Sequence, residues 1–276
     1  VTHTTSEIFL KARMTEPHAI SLAGGTAVVF SASGKEDPDA ANQDSAVLVS
    51  LSDGRAVLVV ADGAGGQPAG DQASALAAQC VERACARAED TGLSLRDAIL
   101  NGFEEANRAI LALGVGAATT LAVAEIDGNT LRPYHAGDSG VVVTGQRGRT
   151  KLATMAHSPV GYAVEAGFLD TGDAMHHEER HVVSNLLGQS DMRIELGSAL
   201  PLSALDTVVL ASDGLFDNLT APEIIDLVRS GDLLQSARLL RDAAMGRMQT
   251  QEAGVPSKPD DLTFVLYRRD RLHKTP

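Results

Sequence analysis

Hydrophobic and polar positions alternate along the chain in two regimes. Short runs rich in Val, Leu, Ala and Thr fall at residues 26–31, 46–51, 56–60, 119–125, 130–135, 141–144, 151–154, 207–211 and 262–267, and they predict strands. Between them, residues 69–90, 94–113 and 221–248 carry apolar positions every three or four residues with a polar opposite face. That period predicts two pairs of amphipathic helices. Ser52-Asp53-Gly54 and Asp127-Gly128-Asn129 each separate two strands as hairpin turns do, and the first three strands read as a β meander. The order β, αα, β, αα, β favours antiparallel sheets flanked by helix pairs over a parallel βαβ sheet. Residues 1–22 read as a leader, and 23–276 as one domain with a helix-prone, charge-rich insert at about 156–188.

Composition narrows the chemistry. A chain of 276 residues that is 44% hydrophobic can bury an ordinary core. A formal net charge of -13 argues against nucleic acid or an anionic membrane as partner and makes cations the natural guests. Aromatic content of 3% with no Trp disfavours base-stacking platforms. Cys80 and Cys85 sit in a helical stretch at a spacing that suits core packing. The uncharged run 109–124 falls short of the roughly 20 residues that span a bilayer and is broken by glycines and threonines. No secretory signal is visible at the start, so a cytoplasmic protein is expected.

Asp-Gly occurs four times. Asp53-Gly54 and Asp127-Gly128 are turn residues between strands. Asp62-Gly63 and Asp213-Gly214 instead end the near-continuous apolar runs "AVLVVADG" and "TVVLASDG", which mark strands buried on both faces. A carboxylate delivered there is costly unless it is paired or coordinates a cation. Asp138 in "HAGDSG", Asp217 and Asp260 in "KPDDLT" add further acids, and no basic residue is read as their partner in these motifs. An all-oxygen site for Mg²⁺ or Mn²⁺ accounts for such a cluster, the alternative being separate exposed turn aspartates.

"HEERH" at 177–181 matches the H-E-x-x-H zinc pattern, in which two histidines one helical turn apart bind the metal and the Glu is general base. A third ligand at suitable distance does not follow, Glu195 being too near in sequence. The Gly-rich "DGAGG" lacks the G-K-[ST] ending of a nucleotide cradle.

In order, "NQDSAVL", "VVADGAGGQPAGDQAS", "GAATTLAVAEIDGNTLRPYHAGDSG", "VVLASDGLFDNLTAPEI" and "PDDLTFVLYRR" resemble the successive motifs of the metal-dependent type-2C (PPM) Ser/Thr protein phosphatases, especially bacterial ones. The similarity runs over residues 26–268. It implies an α+β fold, a four-layer αββα sandwich with a flap insert, and hydrolysis of phosphoserine or phosphothreonine by a metal-activated water. It also implies two Mn²⁺ or Mg²⁺ ions, a third in bacterial members, and phosphorylated protein substrates that a Ser/Thr kinase supplies. Carried over by position, Asp62 bridges two metals with help from the Gly63 carbonyl, and Asp213 and Asp260 complete the pair. Asp138, Asp213 and Asp217 match the residues of the third ion, and Asp44 matches an acid that orients the attacking water. The resemblance also places "HEERHVVSNLLG" at the end of the flap, which makes the zinc pattern a coincidence.

The chain departs from the family pattern at several positions. Asp39 replaces the Arg that binds substrate phosphate, leaving Lys35 in the same loop as the candidate substitute. Ala64 stands where eukaryotic members have a His, Asp261 replaces an Asn, and the Arg after Ser139 is missing. These departures motivate a second reading, a pseudophosphatase that binds phosphoproteins or a regulator without turnover. The zinc protease is the third.

Overall fold

The computed structural model describes residues 4–35, 41–250 and 255–270. Two antiparallel sheets face each other, with a helix pair outside each. One sheet runs β1 (Thr5–Leu10), β4 (Asp44–Ser50), β5 (Ala56–Asp62), β6 (Leu121–Asp127), β7 (Thr130–Ala136), β10 (Glu195–Leu196), with β11 (Leu200–Pro201) also paired to β7. The other runs β2 (His18–Leu22), β3 (Gly25–Ser33), β13 (Asp261–Arg269), β12 (Thr207–Ala211), β8 (Gly140–Thr144), β9 (Thr150–Ala153).

The two-residue period of the strands explains why their sequences are apolar throughout. In β4 and β5, Ala46, Leu48, Leu58 and Val60 point between the sheets and meet Val141, Val208, Leu210 and Val265 of the opposite sheet. Their alternates Val47, Val49, Val57 and Val59 point outward onto α1 (Gly70–Thr91) and α2 (Leu95–Leu111). On the far side, Val28, Phe30, Val209, Phe264 and Leu266 pack under α6 (Ala221–Val228) and α7 (Leu233–Gln249). Each such Val or Leu removed from water contributes about 1.5–3 kcal/mol. Helix starts follow their local chemistry. Thr220 and Glu223 close a capping box on α6, and Ser94 caps α2 through the Asp97 N–H. Cys80 and Cys85 are free and buried in the helix layer.

Three expectations change. Residues 5–10 and 18–22 are not a leader: β1 pairs β4, and β2 pairs β3, each at a sheet edge. The first three central strands are not one meander, because β3 lies in one sheet while β4 and β5 lie in the other. The insert holds only short helices, α3 (Pro159–Glu165) and α4 (Thr171–Ala174), and continues in turns through the "HEERH" stretch, which is not helical.

Candidate active site

Every predicted acid sits near one end of the sandwich, and close backbone approaches put it there. Asp62 is the last residue of β5, opposite Asp44 at the start of β4. Its carbonyl accepts from Thr120 N–H (2.8 Å) and Thr119 Oγ1 (2.7 Å). Gly63 admits no side chain, since a Cβ would lie 2.4 Å from the Gly70 carbonyl where α1 begins. Asp213 opens a single helical turn, α5 (Asp213–Phe216), and Asp217 follows directly after it. At Gly214 a Cβ would come 2.0 Å from the Asp261 carbonyl, so the absence of one lets the start of β13 close on the end of β12 and draws Asp260 to Asp213. Gly137, at φ 110°, turns the chain so that Asp138 follows, with Thr120 packed where its Cβ would be.

Asp62, Gly63, Asp138, Asp213 and Asp260 thus line one cleft of about 350 Å³ with Lys258, Thr120 and His181. Asp217 lines an adjoining groove that shares Asp138 and Asp213. Asp44 lies behind, fully buried, its Oδ2 accepting from Ser212 Oγ at 2.8 Å. Burial, reinforced by the neighbouring acids, pushes the Asp44 and Asp138 carboxyls up to about 8, raises Asp217 to about 6, and holds Asp62 well above the usual range. Buried Asp44 Oδ1 and Asp213 Oδ1 have no hydrogen-bond partner. A set of crowded carboxylates with orphaned oxygens suits a hard divalent cation, and these residues fit Mg²⁺ or Mn²⁺.

A basic residue nevertheless joins the acids, contrary to the reading of the motifs. Lys258 Nζ lies 2.5 Å from Asp213 Oδ2, 2.9 Å from Asp217 Oδ2 and 3.2 Å from Asp260 Oδ2. Burial alone would lower the Lys258 ammonium, but the three acids outweigh it and the group is raised. Its signal in the sequence is a lone Lys two residues before Asp260.

Lys35 goes elsewhere. Its Nζ lies 2.8 Å from Asp261 Oδ2 and 3.9 Å from Asp260 Oδ1, and it is not among the residues lining the cleft. Asp261 is buried and also accepts from Gln43 N–H at 2.9 Å. The acid that replaces Asn at position 261 therefore comes with its own counter-ion. Asp39 lies outside the described residues. Ala64 lines the cleft and offers no proton donor.

The histidines of "HEERH" separate. His177 Nδ1 accepts from Glu179 N–H within its own turn (3.1 Å), whereas His181 lines the cleft. Glu195 binds His157 instead, Oε2 to Nε2 at 3.0 Å. His157 Nδ1 accepts from Gly137 N–H (3.1 Å) and Asn185 Nδ2 (2.9 Å), so Nε2 carries the proton toward Glu195. His135, stacked on His157 with centroids 4.4 Å apart, completes a group whose ligand atoms lie within 4.8 Å of one another. Near-parallel rings direct their lone pairs side by side rather than toward one point, so this group reads as a clamp on the loop that carries Asp138. Its members are too far apart in sequence to form a motif.

The protein phosphatase 2C family model matches residues 34–250. Protein phosphatase PhpP of Streptococcus pneumoniae is 31% identical over 185 residues, 64% of this chain and 74% of that protein. The serine/threonine phosphatase of S. agalactiae superposes with a TM-score of 0.73 at 25% identity, covering 96% of this chain and 100% of that one. The catalytic domain of the phosphatase PstP, solved with 2 manganese ions, shares the fold at a TM-score of 0.64 and 24% identity, over 89% and 98% of the two chains. The chain belongs to the protein phosphatase 2C family.

Proposed function

We infer that the chain hydrolyses phosphoserine and phosphothreonine in proteins, as a metal-dependent phosphatase of bacterial type. The convergence of Asp62, Asp138, Asp213 and Asp260 on one open cleft carries this reading, supported by family membership. Asp62, the Gly63 carbonyl, Asp213 and Asp260 would hold Mn²⁺ or Mg²⁺, with Asp138 and Asp217 beside them. When bound, such ions supply an activated water and offset charge on the phosphoryl group.

The chain's own residues set the frame for that chemistry. Thr119 and Thr120 fix the backbone of Asp62. Ser212 fixes Asp44, which orients the acid beside Asp62. Lys35 acts as the counter-ion of Asp261 rather than as a phosphate ligand. Phosphate is then held chiefly by the metal centre, and the flap, with His181, forms one wall of its entrance. Retention of the acids favours turnover over a pseudophosphatase, and the turn at "HEERH" removes the helical spacing that a zinc protease needs.

A Ser/Thr kinase supplies the substrates in this reading, and the protein works in the cytoplasm. No helix among the described residues is long and apolar enough to cross a membrane. The test is release of phosphate from p-nitrophenyl phosphate and from a phosphothreonine peptide, with and without Mn²⁺. Manganese-dependent release from both is expected. Binding of the phosphopeptide without release would establish the pseudophosphatase instead.

A further inference from the structure

We propose that the Lys258 ammonium is a resident cation of the acid cluster, filling the position bounded by Asp213, Asp217 and Asp260 and closing it to a divalent ion. The proposal rests on the metal-centre reading above. It concerns how many ions that centre takes.

An ammonium has three N–H donors and no acceptor. Here it meets three carboxylate oxygens, each from a different acid, at 2.5, 2.9 and 3.2 Å. The side chain is only 24% exposed. Its backbone is held as firmly as its head. The buried Asn218 side chain accepts from Lys258 N–H (2.8 Å) and donates to the Lys258 carbonyl (2.9 Å), while the same amide donates to the Gly214 carbonyl (2.9 Å). Asn218 directly follows Asp217, and Gly214 directly follows Asp213. The lysine is therefore indexed to the segment that carries two of its three partners. The preceding residue is anchored as well, with the Ser257 carbonyl accepting from Arg180 Nη2 at 3.3 Å and its hydroxyl donating to the Arg247 carbonyl at 2.9 Å.

The charge balance points the same way. Once metal binding has displaced their protons, Asp62, Asp138, Asp213, Asp217 and Asp260 with one ammonium leave four negative charges, which two divalent ions neutralise. The lysine uses Oδ2 of each partner and leaves the buried Asp213 Oδ1 unpartnered for a metal. Removing the ammonium would free Asp217 and the facing oxygens for a further ion.

Calorimetric titration of the full chain with Mn²⁺, checked by metal content after equilibrium dialysis, tests this without reference to activity. The expected stoichiometry is about two ions for the wild type and for Lys258→Arg, and about three for Lys258→Gln, since a small divalent ion can be held by one or two carboxylates together with its waters. Asp217→Asn in the Lys258→Gln background should return the count to about two. About three ions in the wild type would overturn the proposal whether or not any variant folds, as would an unchanged count and affinity in a folded Lys258→Gln. A wild type that binds no Mn²⁺ would overturn the metal centre itself, an outcome distinct from a wrong role for Lys258.

Discussion

Asp44 and Asp62 are direct cross-strand partners in the β4–β5 register. Like charges opposed in this way repel, and both side chains sit where burial already penalises ionisation. The folded, metal-free chain relieves that repulsion by keeping protons. Asp44 and Asp138 titrate at about 8 in the folded chain, against 3.8 for an ordinary Asp.

A pH dependence follows from that difference. Between the two values the folded chain binds more protons than the unfolded chain, so stability is fully present at low pH and is lost as pH rises through about 8. The melting temperature of the metal-free protein should therefore fall from about pH 5 to about pH 8, and Mn²⁺ should raise it most at the alkaline end. Asp44→Asn should flatten the slope. Calorimetric melts across that range, with chelator and with Mn²⁺, decide the matter, and a metal-free slope of zero or of opposite sign would refute it.

Removing an acid proposed to hold the metals should cost more than the roughly 10–100-fold typical of losing a supporting partner. Asp62→Asn, Asp213→Asn and Asp260→Asn should each abolish Mn²⁺-dependent turnover of p-nitrophenyl phosphate. Asp261→Asn should be tolerated, because an amide oxygen can still accept from Gln43 N–H. An essential Asp261 with a dispensable Asp260 would mean the last motif is read one residue out of register.

The pairing of Lys35 with Asp261 makes a prediction about stability rather than affinity. Lys35→Ala leaves a buried acid without its cation and should cost roughly 1–3 kcal/mol, with KM for small phosphoesters unchanged. Combining it with Asp261→Asn should recover most of that loss. A rise in KM without a loss of stability would return Lys35 to the phosphate.

His177→Ala should leave Mn²⁺ content and turnover unaffected, since its ring accepts from Glu179 N–H within its own turn and does not line the cleft. His181→Ala should also keep the metal but weaken a phosphopeptide more than p-nitrophenyl phosphate, because it shapes the cleft wall. Steady-state kinetics on both substrates checks this. Loss of stoichiometric zinc from the double variant would revive the protease.

The central strands and the acids at their ends were legible in sequence because burial on both faces writes itself as an unbroken apolar run, and Asp-Gly at the end of such a run is conspicuous. Edge strands carry no such mark: β1, "TSEIFL", is partly or fully exposed along its length and reads as polar chain. Assigning β3 to a different sheet from β4 needed a long-range fact, its pairing with β13 across more than two hundred residues. Lys258 escaped for a related reason. Nothing local distinguishes a loop lysine from one clamped by Asn218 forty positions earlier.

The place of β13 bears on how this protein is made. It is the last strand among the described residues yet sits inside its sheet, between β3 and β12, and it carries Asp260 at its threshold. A chain emerging from the ribosome can assemble β1, β4, β5, β6 and β7 with α1 and α2 before residue 140, but β2–β3 and β12–β8–β9 stay unjoined until residues 261–269 appear. Such long-range closure is slow and leaves apolar strand faces exposed meanwhile. It also means that Asp62, Asp138 and Asp213 cannot acquire Asp260 before β13 has joined the second sheet, so a chain without that strand in place holds an incomplete set of acids.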